Sequence, residues 1–153
     1  MATQLQLRRG TAAENAVFTG AQGELTMSTD TKALQIHDGS TTGGFMVDTV
    51  VAFQKPTAGN DYTWVRKYAS GWVEQGGKTS VTGYGDTSNA TITLPVEMAD
   101  TNFFGQATIL GSGENIGLGQ EIAIISATQI SLRINYGSTV TRTICWEVKG
   151  MAA

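Results

Sequence analysis

The sequence predicts an all-β protein, and three observations carry that prediction. Apolar residues recur with period two along most of the chain, helical periodicity is almost absent, and 19 glycines cut the pattern into short segments. The one departure begins at Thr11. In the stretch TAAE, Thr11 and Glu14 have the spacing of a capping box, in which each side chain satisfies a backbone N–H near a helix start. The segment ends at Thr19-Gly20, which leaves room for a short helical turn only.

The elements follow in order. Leu5 and Leu7 alternate with Gln4 and Gln6, and Leu25 and Met27 alternate with Glu24, Thr26 and Ser28. Leu34 and Ile36 come after the turn-like TDTK of residues 29–32, which predicts a hairpin, and the Asp38-Gly39 pair closes this unit with a turn signal. After Gly43-Gly44 the chain runs through FMVDTVVAF to a break at Pro56-Thr57-Ala58-Gly59-Asn60. These signals divide the chain into an N-terminal domain over 1–45, a connector over 46–60 and a C-terminal domain over 61–153.

In the C-terminal domain, residues 62–68 and 72–75 predict a hairpin turning at Ala69-Ser70-Gly71. Residues 90–96 put Ile92, Leu94 and Val96 on one face, and 102–110 form a further apolar segment. Residues 121–126, 129–136 and 139–149 predict a three-strand meander, whose last strand alternates Ile144, Trp146 and Val148 with Cys145, Glu147 and Lys149. Antiparallel strands of this kind build a sandwich or a small barrel.

Composition sets further bounds. The chain has 153 residues, 41% hydrophobic and 15% charged, too apolar and too weakly charged for disorder. So little charge fits either a surface covered in an oligomer or one rich in uncharged polar side chains, and composition does not separate the two. The first 45 residues stand near the lower limit of roughly 40 for a self-sufficient core. They therefore pack on the second domain or complete their core with copies of themselves.

The net charge is −3, and the tight basic groups are the pairs Arg8-Arg9 and Arg66-Lys67, so no nucleic-acid partner is expected. No apolar run approaches the roughly 20 residues of a membrane-spanning helix. The start MATQLQLRRG lacks the order of a signal peptide, which predicts cytoplasmic synthesis without membrane insertion. A single cysteine, Cys145, excludes an intrachain disulfide, and its place between Ile144 and Trp146 reads as a small buried strand residue.

No catalytic constellation emerges, and no enzyme activity, cofactor or metal is expected. The thirteen acidic residues show no pair in acid-and-nucleophile context. His37 is the one histidine; three copies around a symmetry axis would make a metal site, but a ring satisfied by backbone or water is the favoured reading. GSGENIGLG at 111–119 is out of step with a dinucleotide fingerprint and has no helix pattern after it, so it reads as a loop between strands. The loop stretches GYGDTSN (83–89), GSGENIGLG and YGSTVT (136–141) hold the residues adaptable binding loops favour. Tyr84, Asp86, Asn89, Glu114, Asn115 and Tyr136 are accordingly the candidate contact residues. A second candidate is the cluster Tyr62, Trp64, Tyr68 and Trp72, which reads as a ligand platform or as packing between strands.

Two stretches carry a family likeness. Residues 5–45, with RRGT, FTG, GE before a strand, DT, HDG and TTGG, resemble the N-terminal domain of phage tropism-determinant and tail-fibre proteins. The stretch from PTAGNDYTWVRKYASGWVEQGG through TITLPVEMADTNF to CWEVKG resembles the C-terminal tip domain of phage tail fibres. The resemblance implies a homotrimeric virion protein. Its N-terminal domain would join other tail proteins, and its β-sandwich-like tip would bind a glycan or outer-membrane protein on the host. It also implies that the aromatic hairpin serves packing and subunit contacts, which leaves receptor contact to the loops. The alternative is a structural tail or baseplate adaptor, or a decoration protein, that never meets the receptor. Fibres of this kind carry a long shaft, whereas only residues 46–55 separate the two likenesses here.

Overall fold

A computed structural model of the chain describes residues 7–83, 89–110, 119–135 and 140–153. Two compact units emerge, one of Met1–Val51 with Tyr68–Ser70, the other of Ala52–Lys67 with Gly71–Ala153. Both are built on strands.

The first unit contains β1 (Arg8–Gly10), α1 (Ala12–Ala16), β2 (Leu25–Ser28), β3 (Leu34–Ile36) and β4 (Phe45–Val47), in the sheet order β1-β2-β3-β4. Strand β1 runs parallel to β2, with Arg8 opposite Thr26, and the other pairs are antiparallel. A parallel neighbour needs a crossover, and α1 lies within it. The capping box at Thr11 forms as expected: the Thr11 hydroxyl accepts from Glu14 N–H at 3.2 Å, and Glu14 accepts from Thr11 N–H at 2.7 Å. Asp30 ties the β2–β3 turn to the helix start. Its carboxylate accepts from the Ser28 hydroxyl at 2.5 Å, from Ala12 N–H at 3.0 Å and from Thr31 N–H at 2.9 Å. Those bonds, the Ser28 hydroxyl first, lower its pKa from 3.8 to about 2.

His37 is the hub of this unit, at 1% exposure. Its Nδ1 accepts from Gly20 N–H at 3.2 Å, so the proton sits on Nε2, which donates to the Thr26 hydroxyl at 3.0 Å. The Thr26 hydroxyl in turn donates to Gln35 Oε1 at 3.1 Å. Phe18 meets the imidazole edge to face at 5.2 Å, and the Arg8 guanidinium covers Phe18 at 4.3 Å. Two glycines are required beside the ring. A Cβ on Gly20 would lie 2.7 Å from His37 Cγ, and one on Gly44, at φ +63°, would lie 2.7 Å from the Ile36 carbonyl oxygen. The stretches FTG, HDG and TTGG thus converge on one imidazole, with both ring nitrogens satisfied inside the protein.

The second unit is a two-sheet structure. After β5 (Val50–Gln54) and a 3-10 turn at Ala58–Asn60 come β6 (Trp64–Tyr68), β7 (Trp72–Gly83), β8 (Asn89–Thr93), β9 (Phe104–Leu110), β10 (Gly119–Ser126), β11 (Gln129–Asn135) and β12 (Val140–Met151). One sheet has the order β5-β6-β7-β12-β9, the other β10-β11-β8. The described ladders in both are antiparallel. Their facing sides close on a core of Val81, Ile130, Leu132, Ile134, Ile144, Trp146 and Val148, each at 5% exposure or less.

Two details differ from the sequence-based expectation. The strand at 90–96 ends at Thr93, although Leu94 and Val96 still turn inward after it. The expected meander stops at β11. Strand β12 crosses to the other sheet and pairs with β7 and β9. The reason is physical: Ile144, Trp146 and Val148 reach the same core whether they lie beside Ile130, Leu132 and Ile134 or face them.

Gln75 fixes one end of this unit. Fully buried, it donates through Nε2 to the Val96 carbonyl at 2.8 Å and accepts at Oε1 from Val96 N–H at 2.9 Å, as a strand backbone would. Gln75→Ala leaves both Val96 groups unpaired and is expected to cost about 1–3 kcal/mol, read as a lower denaturant midpoint.

The Asp30 bonds give a pH dependence. A carboxyl with a lowered folded-state pKa contributes stability that is fully present above its unfolded value and is lost as pH falls through the folded value. The window therefore runs from 3.8 down to about 2. The Ala12 and Thr31 amide resonances are expected to titrate there, and Asp30→Asn to abolish that titration.

Candidate functional site

Alternation along β7 sends Val73, Gln75 and Val81 into the core and leaves Glu74, Gly76, Lys78 and Ser80 on the outer face of the five-stranded sheet. Register brings Trp64 opposite Gly76 on one side of β7 and Glu147 opposite it on the other. Gly76 has no side chain, and the indole of Trp64 lies over it: an added Cβ would stand 2.8 Å from Trp64 Nε1 and 2.5 Å from the Trp146 carbonyl oxygen. Gly77, next along the strand, is held bare by Thr63 and the Trp146 ring.

Around the indole runs a chain of paired polar groups. Gln106 Nε2 donates to Glu147 at 2.7 Å, and Lys149 reaches Glu147 at 3.1 Å and Glu74 at 3.9 Å. Arg66 pairs with Glu74 at 3.7 Å and sits over the rings of Phe53 and Trp64, 5.6 and 5.9 Å from their centroids. These are surface pairs of modest strength. Their effect is to hold one another in place.

Past Trp64 stands Tyr62, 46% exposed, with Lys78 Nζ 4.4 Å from its ring centroid. Asp61 and Tyr62 are consecutive left-handed residues, at φ +52° and +54°. That conformation costs on the order of 1–3 kcal/mol per non-glycine residue, and here it presents the tyrosine to solvent. The backbone offsets part of the cost, because Tyr62 N–H donates to Thr57 O at 2.8 Å and Lys78 N–H to Asp61 O at 3.1 Å.

Connected hollows lie along this face. One of about 440 Å³ is lined by Pro56, Tyr62, Trp64, Lys78, Gln106 and Glu147 among others. A second, of about 530 Å³, shares Pro56, Trp64 and Glu147 with it and extends to Phe53 and Arg66. A third, of about 410 Å³, shares Tyr62 and Lys78 and extends to Ser80 and Thr143. Together they form a groove that follows β7 toward the strand ends at Gly83 and Val140.

The aromatic cluster thus divides between the two readings. Trp64 and Tyr62 line the groove, while Tyr68 and Trp72 are half-buried. Among the loop candidates, Asn89 is the exposed first residue of β8, opposite Arg133. Tyr84, Asp86, Glu114, Asn115 and Tyr136 lie outside the described residues. The strand ends beside them are informative. Segments 84–88, 111–118 and 136–139 each connect one sheet to the other, and Gly83 pairs with Val140 while Leu110 pairs with Thr143. Among the described residues no group of His, Cys, Asp and Glu is arranged to hold a metal ion. Cys145 is a half-buried free thiol on the groove floor, not a core residue. Sequence reading missed Glu74, Gln106, Glu147 and Lys149, which come from three distant strands. Their available signal was a Gly-Gly pair in mid-strand, where a close approach is required.

Comparison with known proteins bears on the first unit. Residues 5–41 match the family described as the major tropism determinant N-terminal domain. The N-terminal unit is similar to a phage tropism-determinant domain. A tail fiber receptor-binding protein of Bordetella phage BPP-1 is 51% identical over 45 residues, 29% of this chain and 12% of that protein. The chain thus spans about an eighth of that relative's length. Among solved structures, a major tropism determinant variant, P3c, aligns over 41% of this chain and 20% of its own, at 36% identity and a TM-score of 0.29. The R2 pyocin fiber of P. aeruginosa aligns over 97% of this chain and 37% of its own, at 16% identity and a TM-score of 0.47.

The crossing at Gly76 has a testable consequence. Gly76→Ala forces either the indole or β12 to shift and is expected to cost at least about 2 kcal/mol, as overpacking does. The drop in melting temperature is to be compared with that of Ser80→Ala, on the same face, which should change it little.

Proposed function

We propose that the chain is a fibre protein of a phage or phage-derived tail, a virion component that attaches the particle to the host surface by binding without turnover. One observation carries this reading: the 51% identity of a 45-residue stretch to a tail fiber receptor-binding protein. The first unit then joins other tail proteins and holds three chains together, and the second presents the receptor-binding surface. A receptor on the cell surface, glycan or protein, meets loop residues Tyr84, Asp86, Asn89, Glu114, Asn115 and Tyr136 at the end where the crossover segments leave the sheets. Three copies on one axis raise avidity through effective concentration, so each contact can be weak.

The adaptor reading keeps one observation in its favour. The identity to the relative lies in 45 residues, 12% of that protein, so it falls in a part that an adaptor would share with a fibre. The two readings part on particles lacking the protein: a fibre's loss gives assembled tails that do not adsorb, and an adaptor's loss gives incomplete tails.

The purified chain is expected at three times 16.2 kDa, or 48.6 kDa, by light scattering, and it should compete with particles for host cells. Alanine at Tyr84, Asn115 or Tyr136 should lower attachment and leave the mass unchanged. A 16.2 kDa species with no cell binding would overturn the proposal.

A further inference from the structure

We propose that the outer face of the five-stranded sheet is a saccharide-binding groove, with the indole of Trp64 as its stacking platform. This rests on the receptor-binding reading and goes beyond it in naming a site and a ligand class.

The platform has the right form. The Trp64 ring is backed by the bare backbone of Gly76 and lines two of these hollows. A tryptophan face carries negative charge density that attracts the weakly positive C–H groups on one face of a pyranose. Among the described residues its Nε1–H makes no hydrogen bond within the protein, and it is not enclosed. An indole N–H that remains open beside a platform is a donor for a sugar hydroxyl.

The rim supplies the rest. Gln106 and Lys149 both bond to Glu147, and the three make a row that shares the hollows beside the ring. Such groups, already fixed, accept and donate to vicinal hydroxyls with little loss of side-chain freedom. Tyr62 offers a second ring farther along, held out by its left-handed backbone. From Glu74 to Ser80 the groove follows β7 for about 20 Å, which suits an extended chain of several sugar rings.

Charge decides against other occupants. Asp61, Glu74 and Glu147 balance Arg66, Lys78 and Lys149, so the face offers a polyanion or a basic peptide no net attraction. A second protein surface would bury paired charges, whose desolvation is costly, where interface cores are depleted of them. A neutral, hydroxyl-rich ligand leaves the pairs hydrated and uses the aromatic faces.

The test uses the full chain on a printed panel of neutral and anionic bacterial surface oligosaccharides, alongside binding to intact bacterial cells. The wild type is expected to hold neutral oligosaccharides. Trp64→Ala should lower retention about 10-fold or more, the effect of a central aromatic anchor. Because Trp64 also packs on Gly76, the double variant Gln106→Ala/Lys149→Ala serves as a rim probe, with unchanged melting as its control. Its retention should fall while its melting temperature holds. Saccharide also should quench tryptophan emission in the wild type. Cell binding without saccharide retention, or retention unchanged in both variants, overturns the groove and leaves the receptor-binding reading standing. Absence of both kinds of binding overturns the two together.

Discussion

The second unit depends on one ladder. Strands β7 and β12 pair without interruption from Trp72 opposite Met151 to Gly83 opposite Val140, and both lie in the interior of their sheet. A one-residue slip would turn Ile144, Trp146 and Val148 to solvent and bring Glu147 and Lys149 inward, so the buried face locks the register. With the register locked, the outer face is determined as well. Glu74 stands opposite Lys149, and Gly76 opposite Glu147. The groove is therefore a consequence of the core.

Different strands supply its parts. Trp64 arrives by the hairpin that turns at Gly71, and Gln106 by pairing of β9 with the far side of β12. Neither is near the other in sequence. This is why the hairpin was legible and the groove was not: WVRKYASGWVEQGG carries its alternation and its turn in one run, while the row Gln106–Glu147–Lys149 exists only once β9 and β12 are neighbours. The meander failed for a related reason. Period-two patterning says which residues face a core but not from which of two sheets they face it, and β12 satisfies either arrangement.

In the first unit the sequence was read more fully, because its determinants are local. Thr11 and Glu14 stand three residues apart and bond reciprocally. The turn at 29–32 is stabilised by Asp30 and by Lys32, whose ammonium reaches the Thr29 carbonyl. What escaped was the centre. The pattern predicts satisfied nitrogens for His37, and it has them, but its role as the point on which Phe18, Gly20, Thr26 and Gly44 converge needs contacts between residues up to 26 positions apart. The stretches that carry the family likeness are the ones that enclose this ring.

The two ends of the second unit are treated differently. At one end, Ala152 N–H bonds to Gly71 O, Ala99 N–H to Met151 O, Met98 N–H to Ala127 O and Leu94 N–H to Thr128 O, and Gln75 holds Val96. That end is closed by backbone bonds that tolerate little change in length. At the other end all three crossovers, 84–88, 111–118 and 136–139, join strands whose pairing is already set by the ladder. Lengthening a connection between strands whose pairing is already set costs only a logarithmic term in closure entropy. The face along β7 is tied to the core through Gly76 and Trp146 and so keeps one geometry. The hollows along β7 then run from the closed end toward the strand ends at Gly83 and Val140, on a face whose geometry the core has already set.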